Sequence, residues 1–170
     1  ESWDQVPDST LPVHDTVALW RVQFADLANG WVIGVKGTIL RTADTGKTWT
    51  IQTTPSSSSL ADIDMNSPTS GWIVGNTYTI LHTSDGNQWV QQSSPSNRDL
   101  WAISMLDDLN GWIVGMDGVM LKTTDGGTTW TLQSSGETAA LNDIFFVNPT
   151  TGWAVGNNGV IIRYQPATDL

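Results

Sequence analysis

The feature that most constrains this chain is a pentapeptide written four times. Gly30-Trp31-Val32-Ile33-Gly34, Gly71-Trp72-Ile73-Val74-Gly75, Gly111-Trp112-Ile113-Val114-Gly115 and Gly152-Trp153-Ala154-Val155-Gly156 place tryptophan at steps of 41, 40 and 41 residues. A fixed period of this size marks a repeat architecture. Each copy is too short for a helix, rich in β-branched residues and bracketed by glycine. It reads as a buried strand between tight turns.

The surroundings repeat as well. An alternating apolar run precedes each copy: Leu19–Phe24, Leu60–Met65, Leu100–Met105 and Leu141–Phe146. A third run follows it, as in Thr38-Ile39-Leu40-Arg41-Thr42, and a polar turn then leads to a tryptophan and a fourth short run, as in Thr48-Trp49-Thr50-Ile51-Gln52. Four short antiparallel strands in each such unit predict the blade of a β-propeller. One blade cannot bury both of its faces alone, so blades stack around an axis. The expected fold is all-β, a four-bladed β-propeller in one domain over residues 1–170. Blade 1 spans about 17–52, blade 2 about 58–92, blade 3 about 98–133 and blade 4 about 139–164.

The last repeat has no tryptophan strand of its own, whereas Glu1-Ser2-Trp3-Asp4-Gln5-Val6 resembles one without its blade. Residues 1–6 are therefore expected to complete blade 4, with Trp3 standing where Trp49, Trp89 and Trp130 stand. Such closure removes the open edges that invite aggregation. A self-closed monomer is the expectation; half of a larger ring, or a homodimer of eight blades, is the alternative. Blades 1 and 3 share Leu-Trp in the first run and blades 2 and 4 share Asp-Ile, a pattern consistent with a duplicated two-blade unit.

Seven Lys and Arg against seventeen Asp and Glu leave a net charge of −10, with no basic cluster. This balance argues against nucleic acid and anionic lipid as partners. No apolar run approaches the roughly twenty residues of a membrane-spanning helix, and no signal peptide is visible. The chain has no cysteine, which removes disulfides and thiolate metal sites. His14 and His82 are the only histidines and lie in unlike contexts, so no metal site and no cofactor are expected. Sparse lysine with abundant Ser, Thr, Asn and Trp suits an extracytoplasmic protein.

The turn before the fourth strand has a signature of its own. Thr42-Ala43-Asp44-Thr45-Gly46-Lys47-Thr48-Trp49 and Thr123-Thr124-Asp125-Gly126-Gly127-Thr128-Thr129-Trp130 fit Ser/Thr-x-Asp-x-Gly-x-x-Trp, and Thr83-Ser84-Asp85-Gly86-Asn87-Gln88-Trp89 is one residue shorter. An Asp carboxylate there accepts backbone N–H groups ahead of it and glycine supplies a positive φ. The repeated Asp is a staple, with the tryptophan folded over it.

These residues resemble the Asp-box, or BNR, repeat of sialidases and related propellers. The fuller string, with Gly-Trp-x-Val-Gly and Asp-Gly-Gly-x-Thr-Trp, is most similar to the photosystem II stability/assembly factor family. That resemblance implies a lumenal or periplasmic chaperone that holds a partner protein, built in the family on seven blades. Arginines after Ile-Leu in the third strand contribute to a docking patch there. The matching residues here are Arg41, His82, Lys122 and Arg163, and the competing reading is that they sit between blades and pair locally. The sialidase branch implies a clamp of arginines, a Tyr nucleophile assisted by Glu, and an Asp acid. Only Glu1, Glu137, Tyr78 and Tyr164 are present to supply them, so an enzyme is not expected.

Eight of the ten tryptophans repeat with the blades, if Trp3 is counted, and read as core. Trp20 and Trp101 are left, at matching positions in the first strands of blades 1 and 3. First strands are innermost, so both are expected near the axis, at the mouth made by the loops 7–16, 53–59, 93–98 and 134–140. Loops on a rigid scaffold commonly carry binding. The candidate face is Trp20 and Trp101 with His14, Asp15, Tyr78, Arg98 and Asp117; the bland alternative is that the tryptophans plug the centre. The expected function is a non-enzymatic scaffold for a protein or peptide, with a carbohydrate-binding propeller as the alternative.

Overall fold

The computed structural model describes residues 2–6, 12 and 17–165. The first sheet orders β1 (Leu19–Phe24), β2 (Gly30–Gly34), β3 (Ile39–Thr42) and β4 (Thr50–Ile51). The second orders β5 (Leu60–Met65), β6 (Gly71–Gly75), β7 (Ile80–Thr83) and β8 (Val90–Gln91). The third orders β9 (Leu100–Met105), β10 (Gly111–Gly115), β11 (Met120–Thr123) and β12 (Thr131–Gln133). The fourth holds three strands, β13 (Leu141–Asn148), β14 (Thr151–Gly156) and β15 (Ile161–Arg163). All pairings are antiparallel, so the chain folds into propeller blades as its period predicts.

Each Gly-Trp pentapeptide is the second strand of its sheet. In β6 and β10 all five residues are buried. The closing glycine of the motif has a steric cause. The first strand of every blade carries a register shift after its leading leucine, opposite this glycine. A Cβ at Gly75 would lie 2.3 Å from the Ser59 carbonyl oxygen, and one at Gly115 would lie 2.1 Å from that of Asp99. The bulge and the glycine are therefore one feature seen from two strands.

The first strands pack in the row β1, β5, β9, β13. Side chains lash neighbours in this row. Gln23 Oε1 accepts the Met65 N–H at 2.7 Å, Asp64 Oδ2 accepts the Met105 N–H at 2.7 Å, and Ser104 Oγ accepts the Phe146 N–H at 3.2 Å. Three buried apolar clusters fill the spaces between sheets. One holds Trp31, Ile63 and Trp89, the next Trp72, Ile103 and Trp130, and the third Trp112, Ile144 and Phe146.

The fourth-strand tryptophans are joints between blades. Trp89 donates its indole N–H to Gln52 Oε1 of the preceding blade at 2.8 Å, and Trp130 donates to Gln92 Oε1 at 3.1 Å. The same two glutamines donate to the carbonyls of Gly86 and Gly126 in the following blade's turn. Trp49 has no such glutamine and donates to Gly46 in its own turn at 3.1 Å. Residues 2–6 join no sheet and Trp3 is fully exposed, so Trp3 does not stand where Trp49, Trp89 and Trp130 stand. The reason is positional: this segment leads into β1, at the opposite end of the row from the open edge of β15.

Candidate functional site

One rim of the molecule gathers the first-strand bulges, the loops that enter them and the turns between second and third strands. Backbone bonds tie these together: Val35 N–H to the Ala18 carbonyl, Asn76 N–H to Ser59, Met116 N–H to Asp99 and Asn157 N–H to Ala140. The bulged residues are Trp20, Ala61, Trp101 and Asn142. A bulge re-aims its side chain, and here it turns these four out of the regular alternation. Trp20 is half exposed, Trp101 is half-buried, and Asn142 donates to Asn157 Oδ1 at 2.9 Å.

The turns on this rim adopt the left-handed conformation in every blade. Glycine fills the second left-handed position in three of them, Gly37, Gly118 and Gly159, with φ of 69, 71 and 75°. In the second blade that position belongs to Tyr78, at φ 51°, and the preceding Thr77 is left-handed too, at 52°. A bulky residue in this region is a backbone outlier that must be held by its surroundings. The hold comes from Asp99, whose Oδ1 accepts the Thr77 N–H at 2.7 Å while its carbonyl accepts Met116. Next to it Arg98 Nε lies 2.9 Å from Asp117 Oδ2. A groove of about 570 Å³ runs beside this ion pair, bounded by Pro95, Asn97, Val119 and Leu132.

The structure thus brings Tyr78, Arg98, Asp117 and Trp101 around one residue, Asp99. Trp20 lies on the same rim on β1, with β5 between it and the β9 strand of Trp101. His14 and Asp15 fall outside the described residues. Asp99 and the left-handed Thr77 escape sequence reading. The signal available was the absence of glycine from the Asn76-Thr77-Tyr78-Thr79 turn, where the other blades have it.

The third-strand basic residues have a different place. Each lies directly across from the motif tryptophan of its blade: Trp31 from Arg41, Trp72 from His82, Trp112 from Lys122, Trp153 from Arg163. Arg41 sits 5.5 Å from the Trp31 ring centre and Lys122 5.1 Å from that of Trp112, while the His82 ring lies tilted at 34° to Trp72 with centroids 4.5 Å apart. The negative faces of the indoles attract the Arg41 and Lys122 cations. Burial holds the His82 imidazole below its ordinary value, and the Asp108 carboxylate acts against that shift.

The acids of the chain serve as staples. Asp44 accepts the Thr48 N–H at 2.9 Å and hydroxyl at 2.7 Å, and it also accepts the Thr42 hydroxyl. These bonds favour the ionised form and bring its pKa down to about 2. Asp85 is lowered by the N–H groups of Gln88 and Asn87, and Asp125 by the hydroxyl and N–H of Thr129. Asp62 and Asp64 are pushed up instead, because burial outweighs the N–H groups of Ile103 and Met105 that they accept. Asp62 also faces Arg21 at 3.3 Å, whereas Asp143 takes its own neighbour's N–H at Ile144. The two are engaged separately. Among the described residues no group of His, Asp and Glu is arranged to hold a metal ion.

With fold and rim in place, comparison with known proteins gives the class first. The profile of the Photosynthesis system II assembly factor YCF48 family matches residues 1–93, 49–135 and 95–165. The chain belongs to this family of repeat propellers. Photosystem II stability/assembly factor HCF136, chloroplastic, from Oryza sativa subsp. japonica is 33% identical over 93 aligned positions, covering 49% of this chain and 21% of that one. The solved structure of YCF48 bound to D1 peptide superposes with a TM-score of 0.73 at 26% identity, over 94% of this chain and 54% of the other. YCF48 from Cyanidioschyzon merolae gives 0.75 at 20% identity, over 91% and 53%. The chain spans about half the length of these solved relatives and about a fifth of the curated one.

Proposed function

We propose that this chain is a non-enzymatic scaffold of the assembly-factor type that holds an extended protein segment on one rim. The observation that carries this reading is the relative bound to D1 peptide, which superposes over 94% of the chain. The rim around Asp99 supplies what peptide capture needs: a half-exposed ring at Tyr78 and a half-buried one at Trp101, a fixed ion pair and a groove beside it. A binder rather than a catalyst also fits the acids, since Asp44, Asp85, Asp125, Asp62 and Asp64 are each committed to backbone N–H groups. The chloroplastic relative supports work outside the cytoplasm.

The test is titration of a fluorescent D1 peptide with the chain and with its Tyr78→Ala and Arg98→Ala variants. Binding weakened at least about tenfold by either change is expected, as for a residue central to an interface. Absence of binding removes the reading; binding untouched by both variants moves it off this rim.

A further inference from the structure

The loops that enter the second and third blades follow one pattern and differ in how they meet the turn beside them. Aligned on their blades, Ser56 and Ser58 correspond to Ser96 and Arg98, while Thr77 and Thr79 of the second-blade turn correspond to Asp117 and Val119 of the third. In the second blade hydroxyls close the space between loop and turn. Ser56 Oγ lies 3.3 Å from Thr79 Oγ1, and Ser58 Oγ bonds to Thr77 Oγ1. In the third blade Val119 offers Ser96 no polar atom. The longer side chains of Arg98 and Asp117, with Nε 2.9 Å from Oδ2, bridge the gap in place of two short hydroxyls. Loop and turn stand apart there, and the space between them is the groove of about 570 Å³.

The walls of this groove are held in place. Ser96 donates its N–H to Ser94 Oγ at 3.2 Å, and Ser96 Oγ accepts the Arg98 N–H at 3.0 Å. The turn is tied to the following loop, where Ser135 Oγ donates to the Gly118 carbonyl at 2.7 Å. Leu132 sits on β12, paired with Leu121 of β11. Val119 is 8% exposed and forms the floor, while Leu132 at 58% and the exposed Pro95 form the sides. The two charges in the lining, Arg98 and Asp117, neutralise each other. A preformed, apolar and locally neutral groove suits an aliphatic side chain, whereas a charged one would lose hydration there without gaining a partner.

We propose that this groove is the subsite for one aliphatic side chain of the extended segment held on the rim. Asp117 holds Arg98 through Nε, and the terminal guanidinium N–H groups are left to meet the adjoining main-chain carbonyl. The proposal rests on the reading of the rim as a holder of an extended segment, and adds the residue type that segment must carry. Successive side chains of an extended peptide point to opposite sides, so one residue fills the groove while its neighbours face away, and specificity concentrates at that residue.

Methyl NMR on the whole chain reads the groove directly. The probes are the D1 peptide and the blocked pentapeptide Ac-Thr-Ala-Leu-Ala-Thr-NH2, the latter with a counterpart carrying aspartate for leucine. The D1 peptide and the leucine pentapeptide are expected to shift the Val119 and Leu132 methyl resonances, and the aspartate counterpart to leave them in place. Leu132→Ser alters an exposed side chain and keeps the fold. It is expected to weaken pentapeptide binding about tenfold, as for loss of an apolar wall. Val119→Thr lets Ser96 bond across the groove as Ser56 does to Thr79, and is expected to weaken binding in the same way. A D1 peptide that binds while both methyls stay unmoved overturns the subsite and leaves the reading of the rim standing. A D1 peptide that fails to bind, with methyls still shifted by the leucine pentapeptide, removes that reading and upholds the groove's preference. Methyls that neither probe moves, equal shifts from the leucine and aspartate peptides, or binding unchanged by Leu132→Ser overturn the proposal.

Discussion

Tyr78 is the residue at which local chemistry and fold disagree. Glycine would relieve its left-handed backbone, so Tyr78→Gly is expected to raise stability by about 1 kcal/mol, read from the urea midpoint. The same change is expected to weaken peptide binding, and higher stability with full binding would make Tyr78 a bystander. The turn acids carry a pH dependence. The lowered pKa of Asp44 means that its ionised form contributes stability above the ordinary value near 4, lost as pH falls toward about 2. Asp85 and Asp125 shift in the same direction. Asp62 and Asp64 act oppositely: with raised pKa values they disfavour the fold as pH climbs above the ordinary range and they ionise. The difference in urea midpoint between the parent and Asp125→Asn is therefore expected at pH 7 and to shrink as the medium is acidified below the ordinary carboxylate range. The residue scale was partly legible. Asp44, Asp85 and Asp125 are identifiable as staples because their bonds lie within four residues. The burial of Asp62 and Asp64 depends on a neighbouring blade some forty residues away, and no local pattern reports it.

At the scale of the strand, period and alternation place the elements well, because first, second and third strands meet through short turns. Strands β4 and β8 are only two residues long and are anchored as much by Trp49 and Trp89 as by pairing. The segment at residues 1–6 carries the residue pattern of a fourth strand, yet residues 2–6 pair with no sheet, because strand formation needs an open edge that its own residues do not supply. The glutamine three residues after each of Trp49, Trp89 and Trp130 is equally plain in the sequence, yet its meaning lies in the following repeat. Gln92→Ala leaves the Trp130 indole N–H without its partner in a nearly closed site, and a loss of about 1–3 kcal/mol is expected in urea unfolding. A loss well below that range would show that water reaches the indole and that apolar packing alone holds the joint.

At the scale of the whole molecule, the net charge of −10 sets a field that favours cationic partners. Association with a positively charged peptide is expected to slow as salt rises, measured by stopped-flow fluorescence, while dissociation changes little. The class of fold was legible at this scale and the rim only in part. Trp101, Tyr78, Arg98 and Asp117 fall together around Asp99, while Trp20 stands apart on another first strand.

The glutamine–indole joint has a consequence for how such proteins change size. Because the joint between blades 1 and 2 and that between blades 2 and 3 are made of the same two groups, cutting out residues 53–92 would bring Gln52 up against the blade that carries Trp130, and the join would be chemically the one that was lost. Whole units can then be gained or dropped in evolution without any new contact having to be invented. The length of the array is left free to drift, until selection for a partner fixes it.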